Sequence, residues 1–205
     1  MLFKFIQKSF NQDKKDYFFI VGLGNPGDKY ENTRHNFGFM VLNAFTQKWN
    51  ITTSFKSRFS GFVGKEKIEE QPVMVMYPLT YMNLSGKAVR ETMKYNNISP
   101  EKILVIHDEI DLPYGTIRLK KNGGTGGHKG IESIVSCIQT KDFNRLRLGI
   151  GPKTTEELSD FVLASFSKQE KTSLPLIIDN AVLAIEIFIN ESIDKAMQNF
   201  NKSFI

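Results

Sequence analysis

The 205-residue sequence has little cysteine and no long uninterrupted apolar segment. Its single cysteine, Cys137, cannot form an internal disulfide, which excludes a disulfide-stapled extracellular scaffold and fits a reducing compartment. The longest apolar stretches, 174–178 and 181–189, are broken by Asp179 and Glu186. They fall well short of the roughly 20 apolar residues that cross a bilayer. We therefore expect a soluble, cytoplasmic protein that does not contact a membrane.

Signatures of nucleotide binding are also missing, although the segment VGLGNPG at 21–27 satisfies the pattern G-x-G-x-x-G. A dinucleotide-binding turn needs a helix that starts at once and an acidic residue about 20 positions further on. Here helical spacing starts only near Phe37, and Gln47 and Lys48 occupy the later positions. The second glycine-rich stretch, 122–130, lacks the Gly-Lys-Ser/Thr ending of a P-loop. We expect no cofactor.

Size and composition indicate one ordinary globular domain. Hydrophobic residues make up 40% of the chain and charged residues 24%, which excludes disordered and fibrous classes. Residues 1–16 mix lysines with aromatic residues and lack the features of a secretory signal, so we expect an N-terminal extension followed by a catalytic domain at 17–205. The net charge of +5 is a modest indication of a polyanionic partner.

Strand-like and helical segments alternate along the chain. This order predicts a single three-layer α/β domain with a mixed, mostly parallel, twisted sheet flanked by helices. Strands are predicted at 17–22, 59–68, 72–77, 103–107, 116–120 and 146–150, and helical patterns after Phe37, at 85–96 and at 127–138, with capping-box helix starts near 155 and 168.

Several polar residues stand where apolar elements end. Pro26 stiffens the glycine-rich turn and holds the amide of Asn25 at the end of a strand, where α/β domains keep their sites. Asp108 ends a buried strand and needs a hydrogen-bond partner, for which a histidine is suited. A His–Asp pair without a serine or cysteine nucleophile suggests direct attack by water. Simple helix capping is the alternative for His35 and for Asn83.

A metal site is the rival chemistry. His107, Asp108, Glu109 and Asp111 could supply ligands, but His107 and Asp108 should point to opposite faces of an extended strand. The chain has no H-E-x-x-H motif and no paired cysteines. We therefore expect no metal.

Six ordered motifs resemble those of bacterial-type peptidyl-tRNA hydrolase, over about Phe18 to Leu163. They are Gly22-Leu23-Gly24-Asn25-Pro26-Gly27 with Tyr30; Thr33-Arg34-His35-Asn36; Met82-Asn83-Leu84-Ser85-Gly86; His107-Asp108-Glu109 with Asp111-Leu112-Pro113; Gly126-Gly127-His128; and Arg145-Leu146-Arg147-Leu148-Gly149-Ile150-Gly151. The resemblance implies hydrolysis of the ester between a peptide and the terminal adenosine of tRNA, which recycles tRNA from stalled translation. It also implies a monomer.

The resemblance also implies roles for residues of the reacting centre. The histidine matching His35 is the general base, and the aspartate matching Asp108 orients it. The asparagine matching Asn83 positions water and substrate, and the one matching Asn25 binds near the scissile ester, where an amide donor suits a developing oxyanion.

Other matching positions are implied to bind substrate. Tyr30, Met82 and His128 match residues of the substrate cleft, and Lys120 and Arg147 match a clamp for the 5′ phosphate at the tRNA acceptor stem. Two flanking cations are well suited to gripping a phosphate.

An RNA-binding scaffold is an alternative function, since relatives of this fold in plant organelles act in splicing without hydrolysis. That function predicts an altered catalytic set, whereas Asn25, His35, Asn83 and Asp108 are all present.

Lys129 departs from the pattern, because the family usually has a substrate-contacting asparagine after Gly-His. Lysine cannot accept a hydrogen bond but adds a charge where phosphates pass. We predict that Lys129→Asn lowers the slope of log affinity for substrate against log salt by about 0.7 to 0.9. Affinity measured over a salt series checks this, and an unchanged slope would contradict it.

Overall fold

The computed structural model describes residues 16–151 and 158–205, and a mixed sheet of eight strands lies at the centre of this part of the chain. The strands are β1 Phe18–Gly22, β2 Thr53–Lys56, β3 Gly61–Ile68, β4 Gln71–Pro78, β5 Ile103–Pro113, β6 Thr116–Lys120, β7 Asn144–Gly151 and β8 Lys202–Ser203. Their order across the sheet is β2-β3-β4-β1-β5-β7-β6-β8. The central strands β4, β1, β5 and β7 are parallel, and the outer strands pair antiparallel.

Helices cover both faces of this sheet. They are α1 Phe37–Lys48, α2 Ser85–Asn96, α3 Lys129–Ile138, α4 Leu158–Leu163, α5 Lys168–Asn190 and α6 Ile193–Phe200. Because side chains alternate along a strand, β1 contributes to two cores. Ile20 packs with α1 and α5, whereas Phe19 and Val21 pack with α2 and α3. The predicted three-layer α/β architecture is confirmed.

Helix α5 is long and apolar enough to cross a bilayer by length and composition. Its residues Ile177, Ala181, Ile185 and Phe188 are instead buried in the core beneath the sheet. At its start, the Ser167 hydroxyl accepts from the Glu170 backbone N–H, and the Glu170 carboxylate accepts from the Ser167 N–H. The capping box predicted near 168 is thus confirmed; the helix start predicted near 155 lies outside the described residues.

Three elements were not predicted from the sequence, namely β2, α6 and β8, and β5 is longer than the predicted 103–107. The residues of β2 and β8 are largely exposed, so they lack the apolar alternation that marks a half-buried strand. Three carboxylates, Asp108, Glu109 and Asp111, interrupt the apolar pattern in the extra half of β5. This half still pairs with β7 as far as Pro113, across a register shift after Glu109.

Gly22 and Gly24 of the segment VGLGNPG allow close packing, whereas Gly27 has a positive φ of 106° and no described atom within 4 Å of an added Cβ. A Cβ on Gly22 would lie 2.7 Å from the carbonyl oxygen of Gly38, so the start of α1 rests directly on the end of β1. After β1, the Leu23 N–H donates to the Ile106 carbonyl at 3.0 Å, and the Phe39 N–H donates to the Leu23 carbonyl at 3.2 Å. Helix α1 begins ten positions after Gly27, which agrees with the exclusion of a dinucleotide-binding turn.

We predict that Gly38→Ala strongly destabilises the fold. A Cβ there would lie 2.3 Å from the Ile106 carbonyl oxygen and 2.6 Å from Leu23 backbone atoms, none of which can rotate away. Overpacking of this kind costs about 1–3 kcal/mol or more of the free energy of unfolding. Gly124→Ala is the matched control, because a Cβ on Gly124 meets no described atom within 4 Å. Denaturant unfolding should separate the two variants, and equal stabilities would contradict the prediction.

Candidate active site

A cavity of about 520 Å³ opens at the carboxyl ends of the central parallel strands. Its walls come from the turns after β1 and β4, the end of β5, the glycine-rich loop before α3, and α4. The described lining residues are Asn25, His35, Tyr81, Met82, Asn83, Asp108, Glu109, Ile110, Gly126, Gly127, His128, Lys129, Leu158, Ser159, Val162 and Leu163. This cleft brings together most of the site residues predicted from the sequence.

His35 and Asp108 form the predicted pair. His35 lies in the 3-10 turn Arg34–Asn36 that leads into α1, and Asp108 lies on β5. The Nδ1 atom of His35 is 3.1 Å from Oδ1 and 3.0 Å from Oδ2 of Asp108. Because a carboxylate only accepts hydrogen bonds, Nδ1 carries the proton, and Nε2 is left as the basic nitrogen.

The interaction between His35 and Asp108 shifts the pKa values of both residues. Burial lowers the pKa of His35, but attraction to the Asp108 carboxylate and the hydrogen bonds to it outweigh burial, and the pKa rises above the ordinary 6.5. Burial raises the pKa of Asp108, yet His35 and His128 together bring it well below its usual range. Asp108 is therefore ionised, and His35 is made more basic, as a general base near neutral pH requires.

His128 is a second partner of the same carboxylate. Its Nδ1 atom caps α3 by accepting from the N–H groups of Gly130 at 3.1 Å and Ile131 at 3.3 Å. Its Nε2 therefore carries the proton and donates to Oδ1 of Asp108 at 3.0 Å. The helix cap thus fixes the tautomer of His128, and His128 in turn fixes the carboxylate that orients His35. The sequence placed His128 in the cleft but did not reveal this contact.

His107 lies beneath the pair and faces away from the cleft. Its Nδ1 donates to the Asp108 carbonyl at 2.7 Å, and its ring packs edge-on against His128 with centroids 4.8 Å apart. Burial and the nearby His128 hold the pKa of His107 well below 6.5, so the ring is neutral. Its Nε2 is buried without a hydrogen-bond partner among the described residues.

The amide of Asn25 has a fixed orientation. Its Oδ1 accepts from the Met82 N–H at 2.9 Å, which leaves Nδ2 as a donor for the cleft. The backbone of Asn25 is held in turn by the side chain of Asn36, whose Oδ1 accepts from the Asn25 N–H at 2.8 Å and whose Nδ2 donates to the Asn25 carbonyl at 3.0 Å. Asn36 is a positioning residue that the sequence showed only as part of a motif.

Arg34 joins the turn that carries His35 to the α4 wall. Its guanidinium donates to the Ser165 carbonyl at 3.0 Å and to Oε2 of Glu170 at 2.8 Å, and it lies 4.5 Å from the centroid of the Phe161 ring. Its side chain is only 9% exposed, so this arginine is a structural anchor of the cleft. The sequence did not indicate this role, because a buried arginine has no distinctive sequence pattern.

Other predicted site residues lie at the margin of the cleft or outside it. Asn83 is exposed at the rim, in the 3-10 turn Met82–Leu84. Tyr30, Lys120 and Arg147 are not among the described residues that line the cavity. Lys120 is exposed on β6, while Arg147 on β7 is three-quarters buried and donates to Glu109.

A metal ion could be held by His35, Asp108 and His128, whose ligand atoms all lie within 4.8 Å of one another. That set differs from the one considered from the sequence, because His107 faces away and Glu109 pairs with Arg147 at 3.0 Å. A metal would have to replace the protons that both imidazoles donate to Asp108. His35, Asp108 and His128 therefore form a hydrogen-bonded triad in which the carboxylate already has two donors.

The chain is similar to known proteins over most of its length. The family model described as peptidyl-tRNA hydrolase matches residues 19–204. The chain belongs to the peptidyl-tRNA hydrolase family. A peptidyl-tRNA hydrolase of Finegoldia magna is 45% identical over 184 residues, 90% of this chain and 97% of the relative. One of Bacillus subtilis is 42% identical over 183 residues, 89% of this chain and 97% of the relative.

Solved structures of the peptidyl-tRNA hydrolase family share the architecture. The crystal structure of the Acinetobacter baumannii enzyme superimposes with a TM-score of 0.86 at 39% identity, covering 93% of this chain and 96% of the other. The single α/β domain with a mixed sheet, as predicted, is thus the fold of this family.

We predict that Asp108→Asn lowers the pKa of His35. The substitution removes the attraction that raises this pKa, while the burial that lowers it stays. NMR titration of His35 should give a value above 6.5 in the wild type and a lower one in the variant. Lys121→Gln, which removes an exposed charge paired with Asp194 rather than with the site, is the control and should leave the titration unchanged. A His35 pKa that stays or rises in Asp108→Asn would contradict the assignment.

Proposed function

We propose that this chain hydrolyses the ester bond between the peptide and the tRNA of peptidyl-tRNA by direct attack of water. Membership of the family supports the substrate class. The observation that carries the mechanism is the His35–Asp108 pair, with Nδ1 bound to the carboxylate at 3.0 Å, at the wall of a cavity that Asn25 also lines.

His35 is the general base of the proposed reaction. Its Nε2 takes a proton from water, whose oxygen attacks the ester carbonyl carbon. The imidazolium that forms is stabilised by ionised Asp108, which His128 keeps in place at 3.0 Å. When the bond to the ribose oxygen breaks, the imidazolium can return the proton to that leaving oxygen. This sequence balances the proton without a covalent intermediate.

Asn25 is the proposed donor to the oxyanion. Its Nδ2 is free of the Met82 contact, and its backbone cannot shift because Asn36 holds it. Such a donor is effective because it is oriented before charge develops on the carbonyl oxygen. Exposed Asn83, at the rim, is placed to orient water or the incoming ester. Met82 lies buried in the same turn and lines the cavity wall.

The acceptor end of the tRNA is proposed to meet the basic residues beside the cleft. Lys120 and Arg147 carry cations near the glycine-rich loop, and Lys129 is exposed at the start of α3. The charge of Arg147 is partly compensated by Glu109, at 2.9 Å, so Lys120 should provide more of the phosphate affinity. Tyr30 does not line the cavity, so its proposed contact is with a part of the substrate that extends beyond the cavity. The cytoplasmic location, monomeric state and N-terminal extension stay predictions.

The decisive experiment is peptide release from purified peptidyl-tRNA by the wild type and His35→Ala. Loss of the base should lower kcat about 10²- to 10⁴-fold. Binding of the tRNA should change little, because His35 faces the ester and not the phosphates. The acid limb of the wild-type pH profile should lie above pH 6.5, since the base acts in its neutral form and its pKa is raised.

Three other outcomes would contradict the proposal. Equal rates for the wild type and His35→Ala would remove His35 as the base. Release by neither, with tRNA binding intact, would favour the RNA-binding scaffold. Loss of wild-type release after dialysis against a chelator, with recovery on adding back a divalent metal, would favour metal hydrolysis at His35, Asp108 and His128.

A further inference from the structure

Helix α2 presents a row of cations that the proposed reaction does not use. Lys87, Arg90 and Lys94 are exposed and recur at positions i, i+3 and i+7, so they lie along one side of the helix. At a rise of about 1.5 Å per residue the row is roughly 10 Å long. The opposite face of α2, including Val89 and Met93, is buried against the sheet, so the row faces outwards.

These cations are largely uncompensated. Arg90 lies 3.1 Å from Glu91, but neither Lys87 nor Lys94 forms an ion pair within residues 16–151 and 158–205. Exposed helices commonly pair opposite charges at i, i+3 or i+4, and such pairing is absent for these two lysines. The row is therefore a local excess of positive charge.

A groove at the end of α2 is lined by a separate set of cations, and none of the three residues of the row lines it. It encloses about 600 Å³ between the β2–β3 hairpin and the end of α2, and its described lining includes Lys56, Arg58, Lys65 and Tyr95 but no carboxylate. The Arg58 guanidinium lies 4.6 Å from the centroid of the Tyr95 ring, which is exposed. We define the α2 cationic surface as the row Lys87, Arg90 and Lys94.

The helix that carries the α2 cationic surface begins next to the cleft. Helix α2 begins two positions after Asn83, and its first turn is fixed to α3 by a hydrogen bond from the Gly86 N–H to the Ser133 hydroxyl at 3.0 Å. Lys120 and Arg147 lie on the same side of the sheet as α2, because their neighbours on β6 and β7 are buried on the α1 and α5 side.

We propose that the α2 cationic surface binds the ribose–phosphate backbone of the substrate RNA outside its acceptor end. The inference rests on the proposed function, which brings a polyanion to the cleft. A row of exposed cations with one neighbouring carboxylate, Glu91, suits a phosphate backbone, since cations neutralise successive phosphates and release counterions. An acidic peptide segment of the substrate is the rival occupant, and the experiment distinguishes it.

The test compares two variants of equal charge change. The first combines Lys87→Gln, Arg90→Gln and Lys94→Gln. The control combines Lys168→Gln, Lys171→Gln and Lys195→Gln, three exposed positions on α5 and α6 at the opposite face. The α2 variant should raise KM for peptidyl-tRNA on the order of tenfold and lower the salt slope of affinity by about 2 to 3, whereas the control should resemble the wild type.

A short substrate separates RNA contact from catalysis. On an N-acylated aminoacyl trinucleotide, which lacks the RNA body, the α2 variant should match the wild type in kcat and KM. Three results would overturn the inference. The first is an equal loss of kcat/KM with both substrates, and the second is an equal salt slope of affinity in both variants. The third is a change in KM that depends on acidic residues in the peptide and not on RNA length. Failure of the proposed function is a different result, because the wild type would then release no peptide. In that case, fluorescence anisotropy of labelled deacylated tRNA still measures whether the α2 variant binds RNA more weakly.

Discussion

The buried carboxylate of Asp108 is the constraint on which the site depends. Its side chain is 3% exposed, so its charge is tolerated only because hydrogen-bond donors surround it. Those donors are His35 and His128, which come from different elements, the turn before α1 and the start of α3. The carboxylate therefore ties three elements together at one point. The contacts that stabilise the buried charge also fix the tautomer of His35, as the proposed general base requires.

Hydrogen bonds from side chains to the backbone also fix the turns that form the cleft. Asn36 binds both backbone groups of Asn25, and Asn25 binds the backbone of Met82, so the turns after β1 and β4 are locked to each other. Arg34 does the same for the α4 wall. The consecutive residues Arg34, His35 and Asn36 thus serve three different walls of the cleft. A short 3-10 turn can do this because its successive side chains point in three directions.

Local pattern predicted the fold, and the motifs predicted the His35–Asp108 pair, but neither indicated the other contacts of the cleft. The alternating cores of β1 and the capping box at Ser167 follow from periodicity and a short motif, and both are found. The contact of His128 with Asp108 joins residues 20 positions apart through the packing of α3, and no spacing rule encodes it. The pairing of Arg147 with Glu109 is similarly tertiary, since it depends on the register of β7 beside β5. Motif resemblance identified both residues without indicating that one compensates the other.

The proposed activity and the stability contributed by His35 depend on pH in opposite directions. A histidine whose pKa is raised in the folded state contributes stability in its charged form, fully below the unfolded value near 6.5, and that contribution is lost as pH rises through the folded value. The proposed reaction needs the neutral form, which is the major form only above that same value. Asp108 acts in the other sense: its lowered pKa contributes stability above the unfolded value and is lost in acid. At the pH where His35 can accept a proton, the carboxylate is therefore held by the hydrogen bonds that His35 and His128 donate to it. In the proposed reaction the ion pair forms as His35 takes the proton from water. The attraction therefore strengthens as charge develops in the transition state, which is where binding energy accelerates a reaction.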